Sequence, residues 1–170
     1  MDRLRGAGGV IIRTGRLTLL PLEAAHAEEM TTVLGDPELH AFIGGAPLTV
    51  SELRTRYARL VAGSPDPAVS WCNWVVRLDA EGCLTGTVQA TVSGEAAEIA
   101  WVVGTPWQRR GIAVEATRAM VEWLGKQAGV RTVIAHVHPD HTASAAVATR
   151  VGLTATDRVQ DGEIRWEGPA

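Results

Sequence analysis

The chain has 170 residues, 46% of them hydrophobic and 21% charged, with a net charge of −3. That length and balance describe one soluble-type globular domain able to bury a core, and the negative charge gives no electrostatic reason to expect a nucleic-acid partner. No apolar run approaches the ~18 residues of a membrane span, and the arginine- and glycine-containing start lacks a signal peptide's apolar segment, so a cytoplasmic location without membrane contact is expected.

Residues 1–13 read as a loosely ordered leader, and residues 14–170 as the domain. Arg16-Leu17-Thr18-Leu19-Leu20 is a strand pattern closed by Pro21. Residues 22–34 are apolar at helical spacing, with Leu22, Ala25, Met30, Val33 and Leu34 facing inward, and Asp36-Pro37 stops the helix. A loop through Gly44-Gly45 and Pro47 follows. Thr49 then caps a second helix, Glu52 completing a capping box. After the break at residues 63–67 the period changes. Residues 71–78, 84–92 and 95–103 are strand-like and joined by hairpin-type turns at 79–82 and 93–94. A helix over 114–128 carries a charged stripe of Glu115, Arg118, Glu122 and Lys126 opposite Ala116, Met120, Trp123 and Leu124. An apolar strand at 132–137, an alanine-rich helix at 142–151 and two strands at 153–159 and 163–167 complete the chain. Strand, helix and strand across 95–137 form a parallel crossover. Cys72 and Cys83 lie at unequal distances from the 79–82 turn, so both are read as reduced.

The segment with most chemistry is Gln108-Arg109-Arg110-Gly111-Ile112-Ala113, set between a strand and a helix. A tight turn into a helix leaves N–H groups unpaired where the macrodipole favours negative charge. Gly111 lets the backbone approach an anion closely. The spacings of nucleotide-hydrolysing and dinucleotide-binding loops are both missing.

The pattern Gln-x-x-Gly-x-Ala resembles the acyl-CoA pyrophosphate loop of the GNAT superfamily of N-acetyltransferases. Ala97-Glu98-Ile99-Ala100-Trp101-Val102-Val103 is similar to that family's fourth strand, and Pro139-Asp140-His141-Thr142-Ala143-Ser144 with Val151-Gly152-Leu153 is similar to its last helix. The opening Thr14-Gly15-Arg16-Leu17-Thr18-Leu19-Leu20-Pro21-Leu22 further resembles the branch of ribosomal-protein N-terminal acetyltransferases. The likeness covers roughly residues 14–168. It implies an α/β (α+β) fold: a mixed, mostly antiparallel sheet of about six to seven strands with a splayed parallel pair and about four helices. It implies acetyl-CoA as co-substrate and no metal, with the pantetheine arm held by backbone groups of Trp101, Val102 and Val103. The pyrophosphate would lie on Gln108, Arg109, Arg110, Gly111, Ile112 and Ala113. Two positions depart from the family: His141 stands for its asparagine, and Ala148 stands where many members carry a tyrosine acid, while Tyr57, the sole tyrosine, is remote in sequence.

The resemblance implies attack of a primary amine, of a peptide or a small molecule, on the acetyl thioester. Glu98 is the candidate base; the alternative is a sheet residue paired with an arginine. A strand N–H near Val103 would receive the developing negative charge, and Ser144 or water would reprotonate the departing thiolate. The acidic loop residues Asp36, Glu38, Asp161 and Glu163 are expected to face a cationic amine. A homodimer is compatible with the family. Two other functions stay open: an acyl-CoA-binding domain without turnover, and a zinc hydrolase built on His136, His138, Asp140 and His141, whose His-x-His-x-Asp-His spacing is that of metallo-β-lactamase-type enzymes.

Overall fold

The structure, a computed structural model, describes residues 9–170. Its centre is an eight-stranded sheet in the order β1-β2-β3-β4-β5-β6-β8-β7, with β1 at Ile12–Arg13, β2 at Leu17–Pro21, β3 at Val69–Leu78, β4 at Cys83–Ser93, β5 at Ala96–Val103, β6 at Thr132–Val137, β7 at Thr154–Gln160 and β8 at Glu163–Pro169. Every neighbouring pair is antiparallel except β5 and β6. The helices are α1 (Ala27–Val33), α2 (His40–Ile43), α3 (Val50–Ala62), α4 (Ile112–Gln127) and α5 (Thr142–Arg150). None is long and apolar enough to cross a membrane, among the described residues.

Alternation along the strands builds two cores, one on each face of the sheet. Leu17, Leu19, Trp74, Val76 and Ile99 face α4, whose Ile112, Ala116, Met120 and Leu124 recur at three- and four-residue spacing. Val75 and Leu84 face the other way, onto Met30 and Val33 of α1 and Leu53 and Tyr57 of α3. Each such fully buried side chain contributes about 1.5–3 kcal/mol of hydrophobic stabilisation. The Trp74 indole meets Trp123 edge-on at 5.5 Å and donates to the Val10 carbonyl at 2.9 Å.

Several expectations change. Of the leader at 1–13, residues 1–8 lie outside the described residues, while Ile12 and Arg13 pair with Leu19 and Thr18 as an edge strand. That strand takes the sheet to eight among the described residues, where about six to seven were expected. The first helix begins with a 3-10 turn at Ala24–His26; its tighter winding shifts the phase, so Ala27 is buried where Ala25 was expected to be. The loop at 35–48 contains the short α2, which makes five α-helices among the described residues, against about four expected. The capping box is present as read: Thr49 accepts from the Glu52 amide and Glu52 reaches back.

The feature that shapes the site is a fork. β5 and β6 pair only at Ala96–Thr132, Ala97–Val133 and Glu98–Ile134. Beyond Glu98 each strand stays with its outer neighbour, β5 with β4 as far as Val103 and β6 with β8 as far as Val137. A wedge opens between them.

Near the open end, β4 bulges at Thr85: the β3 register passes from Gly86 to Leu84 without it. Gly86 sits so close to β5 that a Cβ there would lie 2.1 Å from the Val102 carbonyl oxygen. Gly86→Ala should therefore force β4 and β5 apart and cost about 1–3 kcal/mol, read as a lower urea midpoint with unchanged slope. An unchanged midpoint would contradict the close approach.

Candidate active site

The loop from β5 to α4 has the backbone of an anion cradle. Arg109 (φ 62°) and Gly111 (φ 77°) both adopt the left-handed conformation. Successive amides in such a turn converge on one point. Gln108 N–H still bonds the Thr105 carbonyl, and Glu115 N–H bonds that of Gly111. Between them the amides of Arg109, Arg110, Gly111, Ile112, Ala113 and Val114 meet no protein acceptor among the described residues. Donors gathered at the start of a sixteen-residue helix suit a phosphate group.

The loop is fixed from outside. Arg16 donates to the Arg110 carbonyl (2.9 Å) and pairs with Glu115 (2.8 Å). Burial pushes the Glu115 carboxyl up, but hydrogen bonds from Thr14 and Arg16 outweigh it and hold it below the usual carboxylate range. These contacts neutralise the one acid in the first turn of α4. Arg110 differs from expectation. Its guanidinium turns to Glu81 in the β3–β4 hairpin (3.0 Å), which also accepts from the Trp107 indole (3.2 Å). Arg110 thus offers an anion its amide. Arg109 makes no ion pair among the described residues, so its charge remains available.

Backbone direction separates the three strand residues. Gly104 N–H bonds the Thr85 carbonyl, so alternation turns the polar groups of Val102 toward β4 and those of Trp101 and Val103 toward the fork. The Val102 carbonyl lying against Gly86 agrees with this. The Val103 carbonyl accepts from the Gln108 side chain at 3.0 Å, leaving its N–H toward the fork. Val102 therefore has no backbone group for a ligand in the wedge, contrary to the sequence expectation.

At the apex of the fork the Glu98 carboxylate bonds Nδ1 of His136 at 2.9 Å. The partner is a histidine of β6, not an arginine. An ionised carboxylate only accepts, so the proton sits on Nδ1. Nε2 of His136 is buried without a partner among the described residues. The Glu98 side chain remains 57% exposed. His136 was read in sequence only as part of a zinc motif; the parallel register Glu98–Ile134, with His136 two residues further on the same face, is the signal that pairs it with Glu98.

The zinc motif does not assemble. His138 Nδ1 accepts from the Asp140 amide (3.1 Å), and His141 Nδ1 accepts from the Ser144 amide (3.2 Å) as the cap of α5. No cluster of metal-ligating side chains forms among the described residues. The cap places the His141 proton on Nε2, and burial, with His138 adding, lowers its pKa, so the neutral imidazole offers one N–H donor. Phe42 of α2 stacks on His141 with ring centroids 4.2 Å apart.

These groups line a pocket of about 480 Å³ containing Glu98, Trp101, His136, His141, Ser144 and Tyr57. Tyr57, remote in sequence, reaches it because α3 packs over β3. Ala148 of α5 is fully buried. Among the acidic loop residues only Glu163 lines the pocket. Asp36 instead caps the turn at Pro37–Leu39 and accepts from Thr105 at 2.7 Å, bonds that keep it below the usual carboxylate range. Both cysteines are free, and burial pushes Cys72 up to about 11. Neither is an activated nucleophile.

Three solved structures share this architecture over most of their length. A GNAT-family acetyltransferase from Bacillus anthracis is 21% identical, with a TM-score of 0.76 over 94% of this chain and 96% of that one. RimL, a ribosomal L7/L12 α-N-protein acetyltransferase in complex with coenzyme A, is 16% identical, with a TM-score of 0.78 over 95% and 97%. MccE, a microcin C7 self-immunity acetyltransferase in complex with acetyl-CoA and AMP, is 15% identical, with a TM-score of 0.76 over 92% and 94%. No curated protein sequence matches the chain. The family model of the GNAT acetyltransferase domain matches residues 16–154. With the forked sheet and the amide-lined loop in place, the chain belongs to the GNAT acetyltransferase family.

Proposed function

We propose that the protein is an acetyl-CoA-dependent N-acetyltransferase acting on a primary amine. The observation that carries the reading is the run of unpartnered amides from Arg109 to Val114 beside a fork whose free edge exposes Trp101 and Val103. The residues fit the co-substrate. The amides of 109–113 and the Arg109 charge suit its diphosphate, and the free N–H groups of Trp101 and Val103 suit its amide-containing arm, as an added strand would bond. Bound acetyl-CoA supplies an acetyl group activated as a thioester.

The chain's own groups then have distinct tasks. Glu98 accepts the proton that an ammonium must lose before it can attack. His136 is a positioning residue: its Nδ1–H holds the carboxylate at the apex, where the acceptor and the acetyl group meet. The amine nitrogen bonds to the acetyl carbon as the carbon–sulfur bond breaks. The carbonyl oxygen gains charge beside whichever of the Trp101 and Val103 N–H groups the arm leaves unbonded. The sulfur leaves with the bonding electrons and takes a proton from Ser144 or water, which recovers it from the second proton that the new amide nitrogen sheds. His141 contributes its Nε2–H where the family's asparagine would donate. A domain that binds acyl-CoA without turnover has no use for the ordered Glu98–His136 pair, and this favours the enzyme.

Two sets of variants test these roles. Gly111→Asp sets a carboxylate against the amides and should weaken coenzyme A binding at least 100-fold by calorimetry. Gly111→Ala, which shares the φ of 77° and the 3.3 Å approach to Arg16 but adds no charge, should lose far less; equal losses would point to backbone strain alone. Glu98→Gln should lower kcat about 10²–10⁴-fold with coenzyme A affinity unchanged. His136→Leu should lower kcat at least tenfold and alter the pH–rate profile. His136→Asn, which keeps an N–H near the Nδ1 position, should restore most of the rate. An asparagine variant no better than leucine would remove the positioning role.

A further inference from the structure

The pocket contains groups that acetyl transfer itself does not use. Tyr57 is 4% exposed, yet its hydroxyl has no hydrogen-bond partner among the described residues. Buried hydroxyls in folded proteins are nearly always paired, so an unpaired one lining a pocket is waiting for a ligand. Burial pushes it up to about 12, which leaves it a donor. Arg56, the preceding residue of α3, lines the same pocket and makes no ion pair among the described residues. The two are consecutive on α3, Tyr57 buried and Arg56 exposed, and both line the pocket.

The other charges are distributed unevenly. The pocket's carboxylates are Glu98, held by His136, and Glu163 of β8. Arg56 and Tyr57 enter from α3, over β3, at the opposite side of the fork. The rest of the lining is mixed: Leu22, Leu48, Leu53 and Leu60 give it an apolar side, and Asn73, Thr87 and Gln89 of β3 and β4 a neutral polar floor without charge. A guanidinium and a phenolic hydroxyl lining one pocket form a donor set for a carboxylate. A polycationic amine would instead place ammonium groups against Arg56.

We infer that the acceptor is a small primary amine with an apolar body and a carboxylate, the carboxylate received by Arg56 and Tyr57 and the amine presented to Glu98. This rests on the acetyltransferase reading above and adds the chemical class of its substrate.

The test measures acetylation rates with apolar α-amino acids such as leucine and phenylalanine, with the matching amines that lack the carboxylate, and with spermidine. Arg56→Met should raise KM for the amino acids at least tenfold and leave kcat/KM for the carboxylate-free amines within about twofold. Tyr57→Phe should act in the same direction, more weakly. Equal effects of Arg56→Met on both amine classes would overturn the inference. So would spermidine or the carboxylate-free amines being the better substrates of the unaltered protein. If coenzyme A binds and no amine in a broad panel is acetylated, the acetyltransferase reading falls as well; if amines react without regard to the carboxylate, only the acceptor class falls.

Discussion

Everything in this site depends on two parallel strands that part after three residue pairs. A sheet cannot leave backbone donors and acceptors open in its middle without cost. Here the separation persists because each strand keeps its partner on the other side, β4 for β5 and β8 for β6. The exposed edge of β5 is therefore a template for one more extended, hydrogen-bonding chain. The same divergence places Glu98 and His136 at the apex, where their side chains can meet from different strands.

The loop that follows β5 extends this logic. Because β5 leads directly into α4, the open strand edge and the helix N-terminus are consecutive in the chain. Arg16, Thr14 and Glu81 are committed to holding the loop from behind, through Glu115, the Arg110 carbonyl and the Arg110 guanidinium. What remains free is a set of amides and one arginine. A site made mostly of backbone depends little on side-chain identity.

Much of the architecture was legible in the sequence because it rests on local signals. Period-two strands, the Thr49–Glu52 box, the residues around Gly111 and the Asp36-Pro37 stop each carry their physics within a few positions. The reading failed where geometry is non-local. The edge strand Ile12–Arg13 has too few residues to show a period and exists only through pairing with β2. The 3-10 start of α1 altered its phase without changing its composition. Which of Trp101, Val102 and Val103 turn to the fork depends on the β4 register, and the commitment of Arg110 to Glu81 depends on a distant hairpin. His136 was legible as a histidine but not as the partner of Glu98. Tyr57 looked remote only because sequence distance says nothing about what packs over β3.

Hydrogen exchange of individual amides, with and without coenzyme A, reads the open edge of β5 and the loop donors residue by residue. In the free protein Val102 should be protected by β4, while Trp101, Val103 and the amides of Arg109–Ala113 exchange fast. Saturating coenzyme A should slow Trp101, Val103 and the loop amides together and leave Val102 nearly unchanged. Loop amides already slow in the free protein, or a coenzyme that protects some other surface, would contradict the account.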